Sequence, residues 1–125
     1  MNGYRENRVT SDLLLRAYRL GVFPMGEGRE NAKMFWVDPD VRGIIPLKHF
    51  HASRSLLRKY RRRDYKISVD KMFCEVVAAC AQETSDRPET WINTEISKLY
   101  TELFNKGYAH SIECWSKESL VGGLY

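Results

Sequence analysis

A dense run of basic side chains between residues 51 and 63 is the strongest chemical signal in the sequence. The run contains no acidic residue, and its basic residues are Arg54, Arg58, Lys59, Arg61, Arg62 and Arg63. The whole chain has 20 basic and 16 acidic residues, so its net charge of +4 comes from this segment. Clustered positive charge favours contact with a polyanion such as a nucleic acid. The alternative, a solvated face of a surface helix, stays open.

Cysteine and histidine residues show no spacing typical of a metal site. The cysteines are an odd number without CxxC spacing, at Cys74, Cys80 and Cys114, which predicts free thiols in a reducing compartment. His49 and His51 could share a metal ion, but no third ligand is close in sequence, so we predict no metal site. His51 and His110 could act as general bases. Because a single histidine is more often structural, neither is assigned a catalytic role.

Length and composition are those of a globular protein. The 125 residues are 43% hydrophobic and 29% charged, which is sufficient for one core. The longest apolar run, residues 76–81, is far shorter than the ~20 residues of a membrane-spanning helix. The first eight residues lack the apolar segment of a secretory signal. We therefore expect a cytoplasmic protein without membrane contact.

Two helices are predicted from local signals. The first covers about 12–20, with Thr10 or Ser11 as its N-cap. The clearest helix in the sequence begins at Asn93 or the next residue and closes at Gly107. Its apolar residues follow the i, i+3, i+4, i+7 spacing of one helix face, at Ile96, Leu99, Tyr100 and Leu103.

The basic residues are predicted to lie on another helix, which starts near Ser53 or Ser55. Leu56, Leu57 and Tyr60 would then face inward, and the arginines would occupy the opposite, solvated face.

Beyond the basic helix, alternating apolar and polar residues predict strands. The first alternation has its apolar positions at Tyr65, Ile67 and Val69. Asp70 follows as a good N-cap for a helix. Residues 109–116 and 119–125 have the pattern of a hairpin. The sequence stops within the second of these strands, which would leave an open edge of a kind that proteins normally cover, so we expect the sheet to be incomplete.

Six segments, in order and with similar spacing, resemble the leucyl/phenylalanyl-tRNA–protein transferases. The segments are 15–25 (LRAYRLGVFPM), 35–39 (FWVDP), 50–56 (FHASRSL), 89–93 (ETWIN), 107–113 (GYAHSIE) and 120–125 (LVGGLY). The resemblance covers nearly all of the chain from residue 13 onward. It implies an α+β fold, in which a small N-terminal α/β domain is followed by an acetyltransferase-like (GNAT-type) α/β domain. Residues 1–64 would form the N-terminal domain with the basic helix, and residues 65–125 the first, incomplete part of the second domain.

The resemblance also implies an activity. Such enzymes transfer leucine or phenylalanine from aminoacyl-tRNA to proteins that begin with Lys or Arg, which marks those proteins for degradation by the N-end rule. Leu-tRNA, Phe-tRNA and the acceptor protein would be the partners. No cofactor is implied, because the aminoacyl ester is already activated and the protein must only position the reactants, stabilise an oxyanion and manage a proton.

Site residues follow from the matching positions. The pocket for the terminal adenosine and aminoacyl group would include Tyr18, Met25, Trp36, Trp91 and Tyr100, and the six basic residues would contact tRNA. Met25 stands where some members have Trp, which weakens stacking at that position. For Tyr18 and Tyr100, which lie on apolar helix faces, a purely structural role in the core is the alternative.

The family continues beyond the LVGGLY strand with Gly-Glu-Ser-Met-Phe and Asp-Cys-Gln segments, whose polar residues are tied to catalysis. Neither segment is present in this sequence. No residue of the chain is therefore assigned a catalytic role, and we expect the chain alone to be inactive. A non-catalytic tRNA- or RNA-binding module is the alternative function.

Overall fold

The computed structural model describes residues 8–125. The elements in this range are α1 (Ser11–Arg19), β1 (Phe23–Gly26), β2 (Met34–Val37), a 3-10 turn (Leu47–His49), α2 (Arg54–Arg62), β3 (Lys66–Val69), α3 (Phe73–Cys80), α4 (Thr94–Asn105), β4 (Ile112–Ser116) and β5 (Ser119–Leu124). Strands β1 and β2 form one antiparallel pair, and the second sheet is antiparallel with the order β3-β4-β5. This mixed architecture confirms the α+β class.

The amino-terminal residues 1–7, on which the predicted absence of a secretory signal depends, lie outside the described range. Within residues 8–125, no helix is long and apolar enough to cross a membrane.

The core is centred on α4. Its buried side chains are the four predicted from the helical spacing, Ile96, Leu99, Tyr100 and Leu103. Leu14 of α1 and Phe73 of α3 pack into the same cluster. Phe73 stacks on Phe104 of α4 with a ring centroid distance of 4.4 Å. The two helices that flank α4 are thus joined to it by apolar burial, the main favourable contribution to folding.

Local capping signals act as the sequence predicts. The Thr10 hydroxyl accepts a hydrogen bond from the Leu13 N–H, and the Asn93 side chain accepts one from the Ile96 N–H at 2.9 Å. Gly107 ends α4 with a φ of 80°, a left-handed conformation that favours glycine. The limits of α1 and α4 are therefore set by a few local residues.

The two faces of the β3-β4-β5 sheet differ in their surroundings. Gly123 lies against α3 so closely that a Cβ there would be 2.9 Å from Cγ2 of Val76, which explains the glycine. The opposite face is open. Its side chains are apolar and between 42% and 59% exposed, at Ile67, Val69, Ile112 and Leu124. The predicted strand at 65–69 thus forms, but its apolar face is exposed instead of half-buried.

Glu113 is a fully buried acidic residue on the covered face, with 0% of its surface exposed. Its carboxylate accepts hydrogen bonds from the hydroxyls of Ser68 and Ser111 and from the backbone N–H groups of Lys71 and Met72. Burial raises the pKa of the Glu113 carboxyl, but these four donors outweigh burial and hold the pKa below its ordinary value of 4.5. The side chain is therefore a buried carboxylate that joins β3, β4 and the start of α3.

The prediction that Asp70 caps α3 is wrong. The residue at the N-cap position is Met72, whose own side chain makes no capping hydrogen bond. Glu113 supplies the acceptor from the neighbouring strand instead. Asp70 adopts a φ of 57° and turns its carboxylate toward Ser111 and His110. A side chain brought in by strand pairing has thus replaced the local cap.

The prediction that α2 buries an apolar face is also wrong. The helix begins after its N-cap Ser53, as expected, but Leu56, Leu57 and Tyr60 are 55%, 37% and 74% exposed. Periodicity shows which face of a helix can be buried, but burial needs a partner surface. None of the elements in the described range lies close enough to cover this face.

We predict that Glu113→Gln lowers the free energy of unfolding by about 2 kcal/mol, because one oxygen acceptor is lost and a neutral amide replaces a carboxylate that accepts charge-assisted hydrogen bonds. Denaturant unfolding measures this. The matched control is Glu118→Gln at an exposed position of the β4–β5 turn, for which we expect a change within about 0.5 kcal/mol. An equal loss in both variants would contradict the role of Glu113.

Acid should destabilise the wild type more steeply than Glu113→Gln. Because the folded pKa of Glu113 is below its ordinary value, its contribution to stability is fully present above that value. It is lost as the pH falls through the folded pKa. Unfolding free energies measured from pH 6 down to about pH 3 should converge for the two proteins as the wild-type carboxylate is protonated. Parallel curves would show that Glu113 carries no pH-dependent stability.

Candidate functional site

A cavity of about 630 Å³ opens between α1, α4 and the end of β5. This volume lies within the range of small-molecule sites. Its lining is largely apolar and aromatic, and the side chains that matter for its chemistry are Tyr18, Arg87, Trp91, Tyr100, His110 and Tyr125. Three of the five residues predicted for the adenosine and aminoacyl pocket, Tyr18, Trp91 and Tyr100, therefore lie around one cavity.

Three tyrosines form one wall. The hydroxyls of Tyr18 and Tyr100 are hydrogen-bonded to each other, and their rings meet edge to face. Tyr125 packs edge to face on Tyr100 with a centroid distance of 5.4 Å. Burial, followed by the hydrogen bond with Tyr18, raises the pKa of Tyr100. Burial likewise raises the pKa of Tyr125, whose buried hydroxyl has no hydrogen-bond partner within residues 8–125. This wall is thus neutral and offers flat aromatic surface with phenolic hydroxyls.

Trp91 is held in place by the β1 strand. The Gly26 N–H donates to the Trp91 carbonyl at 2.8 Å. A Cβ at Gly26 would be 2.8 Å from that carbonyl oxygen and 2.7 Å from the Asn93 side chain, so only glycine allows this approach. The buried Asn93 amide also donates to the Asn31 carbonyl at 2.8 Å. The segment that carries Trp91 is therefore fixed between the β1–β2 hairpin and the start of α4.

Comparison with known proteins identifies the family of the chain. The model of the leucyl/phenylalanyl-tRNA protein transferase family matches residues 44–125, and the model of the N-terminal domain of that transferase matches residues 7–40. The chain belongs to the leucyl/phenylalanyl-tRNA protein transferase family. The resemblance seen in the sequence is confirmed.

Curated relatives carry the name leucyl/phenylalanyl-tRNA–protein transferase. The Rhizorhabdus wittichii protein is 52% identical over 117 residues, which are 94% of this chain and 47% of the relative. The Paramagnetospirillum magneticum protein is 51% identical over 117 residues, which are 94% of this chain and 56% of the relative. The Maricaulis maris protein is 54% identical over 112 residues, which are 90% of this chain and 52% of the relative. The chain thus spans about half the length of the curated relatives it matches.

Met25 and Trp36, the other two residues that the family resemblance assigns to the pocket, do not line this cavity. Both lie on the β1–β2 hairpin, where Met25 pairs with Phe35 and Trp36 pairs with Pro24. Trp36 is exposed, whereas Met25 is partly buried. Their part in binding stays a prediction.

The basic residues that the family resemblance assigns to tRNA are all exposed. Five of them lie on α2, and Arg63 follows at its end with a φ of 55°. Arg62 is 3.8 Å from the Asp64 carboxylate, an exposed pair of the kind that contributes little to stability. The helix therefore presents a concentrated positive surface to solvent.

One pair of side chains at the cavity was not predicted from the sequence. Nδ1 of His110 is 2.7 Å from one carboxylate oxygen of Asp70, and the other oxygen accepts the Ser111 N–H at 2.9 Å. The hydrogen bond from His110, followed by that from Ser111, lowers the pKa of Asp70. The two residues are 40 positions apart, and only the pairing of β3 with β4 brings them together. No spacing in the sequence signals this contact.

Metal-ligating side chains do not cluster in the part of the chain that the structure describes. No group of three or more His, Cys, Asp or Glu residues there could hold a metal ion.

Removal of the Tyr18 hydroxyl should destabilise the fold through Tyr100. In Tyr18→Phe, the buried Tyr100 hydroxyl loses its partner, and we expect a loss of about 1–2 kcal/mol in the free energy of unfolding. The double variant Tyr18→Phe/Tyr100→Phe should recover most of it, because no unpaired hydroxyl remains. Tyr125→Phe is the matched control; it removes a hydroxyl without a partner and should leave stability equal or higher. Additive losses in the double variant would contradict this coupling.

Proposed function

We propose that this chain forms the aminoacyl-tRNA-binding part of an enzyme that transfers leucine or phenylalanine from tRNA to proteins with N-terminal Lys or Arg. The main support for this proposal is the aromatic cavity lined by Tyr18, Trp91 and Tyr100 in a member of this family. The product would bear a destabilising N-terminus and enter degradation by the N-end rule, a process of the cytoplasm.

The cavity suits the 3′ end of a charged tRNA. This end is single-stranded, so its terminal adenine is free to stack on aromatic side chains, and such stacking contributes about 1–3 kcal/mol per base. Trp91 is only partly buried and is therefore available to a base. The apolar lining suits the side chains of leucine and phenylalanine. Met25 and Trp36 would support the wall from the β1–β2 hairpin.

The basic helix α2 suits the acceptor stem. Phosphates of the stem would meet Arg54, Arg58, Lys59, Arg61, Arg62 and Arg63, all of which are exposed. In this arrangement residues 1–64 form an N-terminal domain with the basic helix, and residues 65–125 form part of a GNAT-type domain.

The reaction requires neither ATP nor a bound cofactor, because the aminoacyl ester supplies the activation. Orientation of the amine against the ester carbonyl provides much of the rate. The chain spans only about half the length of its curated relatives, which supports the proposal that it is inactive alone.

A non-catalytic tRNA- or RNA-binding module is the second candidate. Two observations favour it: no side chain of the basic helix is buried, and the chain matches only about half the length of its relatives. Both are compatible with binding without transfer.

A transfer assay separates these functions. We expect the longest polypeptide encoded by the gene to transfer labelled leucine or phenylalanine from charged tRNA to a peptide that begins with Arg, and residues 1–125 alone to transfer none. A peptide that begins with an acidic residue is the control acceptor. Transfer by residues 1–125 would contradict the proposed inactivity, and RNA binding without transfer by either protein would favour the module.

Charge reversal on α2 tests its interaction with the acceptor stem. Arg58→Glu/Arg62→Glu should weaken the binding of tRNA of any sequence and reduce the slope of log affinity against log salt by about 0.7–0.9 for each phosphate that is no longer neutralised. The matched control, Arg29→Glu/Lys117→Glu, makes the same charge change at exposed positions outside α2. An equal slope in both double variants would show that α2 does not meet the phosphates.

A further inference from the structure

His110 has a defined orientation at the wall of the aromatic cavity. Its Nδ1 is committed to the Asp70 carboxylate at 2.7 Å. Its second ring nitrogen, Nε2, has no hydrogen-bond partner within residues 8–125, and the side chain is 63% exposed. A histidine whose Nδ1–H is bonded to a carboxylate holds the tautomer in which Nε2 is a proton acceptor.

Asp70 is itself tightly held. Its backbone N–H donates to the Ser111 carbonyl at 3.0 Å, and its carboxylate accepts the Ser111 N–H, so two hydrogen bonds join residues 70 and 111. Its φ of 57° is in the left-handed region, which is uncommon for residues other than glycine but is tolerated by aspartate better than by most. The next two residues, Lys71 and Met72, donate to buried Glu113. The turn that aims Asp70 at His110 is therefore fixed by a buried carboxylate.

The other titratable side chains around the cavity do not match His110 as a proton acceptor. They are Tyr18, Cys80, Arg87, Tyr100, Tyr108 and Tyr125. Phenols and guanidinium groups are protonated at neutral pH. Burial further raises the pKa of Cys80, and the Arg87 guanidinium donates to the carbonyls of Cys80 and Gln82. His110 therefore offers, at this wall, a ring nitrogen that can accept a proton.

We propose that His110, oriented by Asp70, is the general base that accepts the proton of the attacking α-amine, a role that rests on the proposed transfer function. Asp70 is a positioning residue in this reaction, and Glu113 supports the turn that carries it.

The lone pair of the α-amine attacks the ester carbonyl carbon, a C–N bond forms, and Nε2 of His110 takes a proton from the nitrogen. The carbonyl then re-forms as the bond between that carbon and the ribosyl ester oxygen breaks, and His110 returns the proton to that oxygen. The products are the new peptide bond and deacylated tRNA, and His110 is again neutral.

The test uses the longest polypeptide of the gene in the transfer assay at saturating charged tRNA. We expect His110→Ala to lower kcat about 100-fold or more, the effect typical of a lost general base. Added imidazole should restore part of the activity of His110→Ala. The restored activity should increase with the concentration of the free base of imidazole. His110→Gln keeps a hydrogen-bond donor for Asp70 and therefore controls for a folding defect. We expect its kcat to be as low as that of His110→Ala. His49→Ala, on the exposed 3-10 turn, is the matched control and should keep wild-type activity.

Asp70→Asn tests the positioning role. We expect about a tenfold loss of kcat. Added imidazole should not restore this loss, because the side chain of His110 is still present and only its orientation is changed. Binding of charged tRNA should be unchanged in all of these variants. If His110→Ala and His110→Gln fold and retain more than a third of the wild-type kcat, the inference is overturned while the proposed function stands. If the wild type transfers nothing, both are overturned.

Discussion

The buried carboxylate of Glu113 is the constraint on which the β3-β4-β5 sheet and the start of α3 depend. A charge without water is tolerated only when hydrogen bonds replace its hydration. Four donors do so here, and they come from β3, from Ser111 directly before β4, and from the turn that leads into α3. Any shift in the register of β3 against β4 would separate Glu113 from Ser68, its partner across the strands. The cost of an unpaired buried charge therefore fixes the sheet register and the start of α3 together.

The hydrogen bonds of Glu113 also determine the position of a side chain at the cavity. Because Lys71 and Met72 are bound to Glu113, the preceding residue is held in its left-handed conformation and directs its carboxylate to His110. The aromatic wall is fixed independently, by the close approach of Gly26 to Trp91 and by the burial of Tyr100 in α4. Two rigid parts of the fold thus meet around one cavity. Such preorganisation is what a reaction driven by positioning requires.

Features with local causes could be predicted from the sequence. The limits of α1 and α4 follow from Thr10, Asn93 and Gly107, which act on the backbone within a few positions. The hairpin of β4 and β5 follows from period-two alternation.

Features with non-local causes could not be predicted. Asp70 has every local property of an N-cap, yet it bonds a residue 40 positions away. Glu113 occupies a polar position in an alternating strand, where solvent exposure is the ordinary expectation, and only the packing of α3 buries it. The hydrogen bond between Tyr18 of α1 and Tyr100 of α4 joins two residues that are 82 positions apart in the sequence. Of the five residues that the family resemblance assigns to the pocket, three line the cavity and two do not. The hydrogen bonds around the cavity could not be predicted.

The open face of the sheet has an apolar composition that is unusual for a solvated face. An antiparallel sheet with one solvated face usually carries polar side chains there. Here the open face carries Ile67, Val69 and Ile112, a composition typical of a sheet covered on both faces. Leu124 belongs to this open face and also lines the cavity. The sheet therefore contributes to the site in two ways: its covered face holds Glu113, which fixes the turn that orients His110, and Leu124 of its open face lines the cavity.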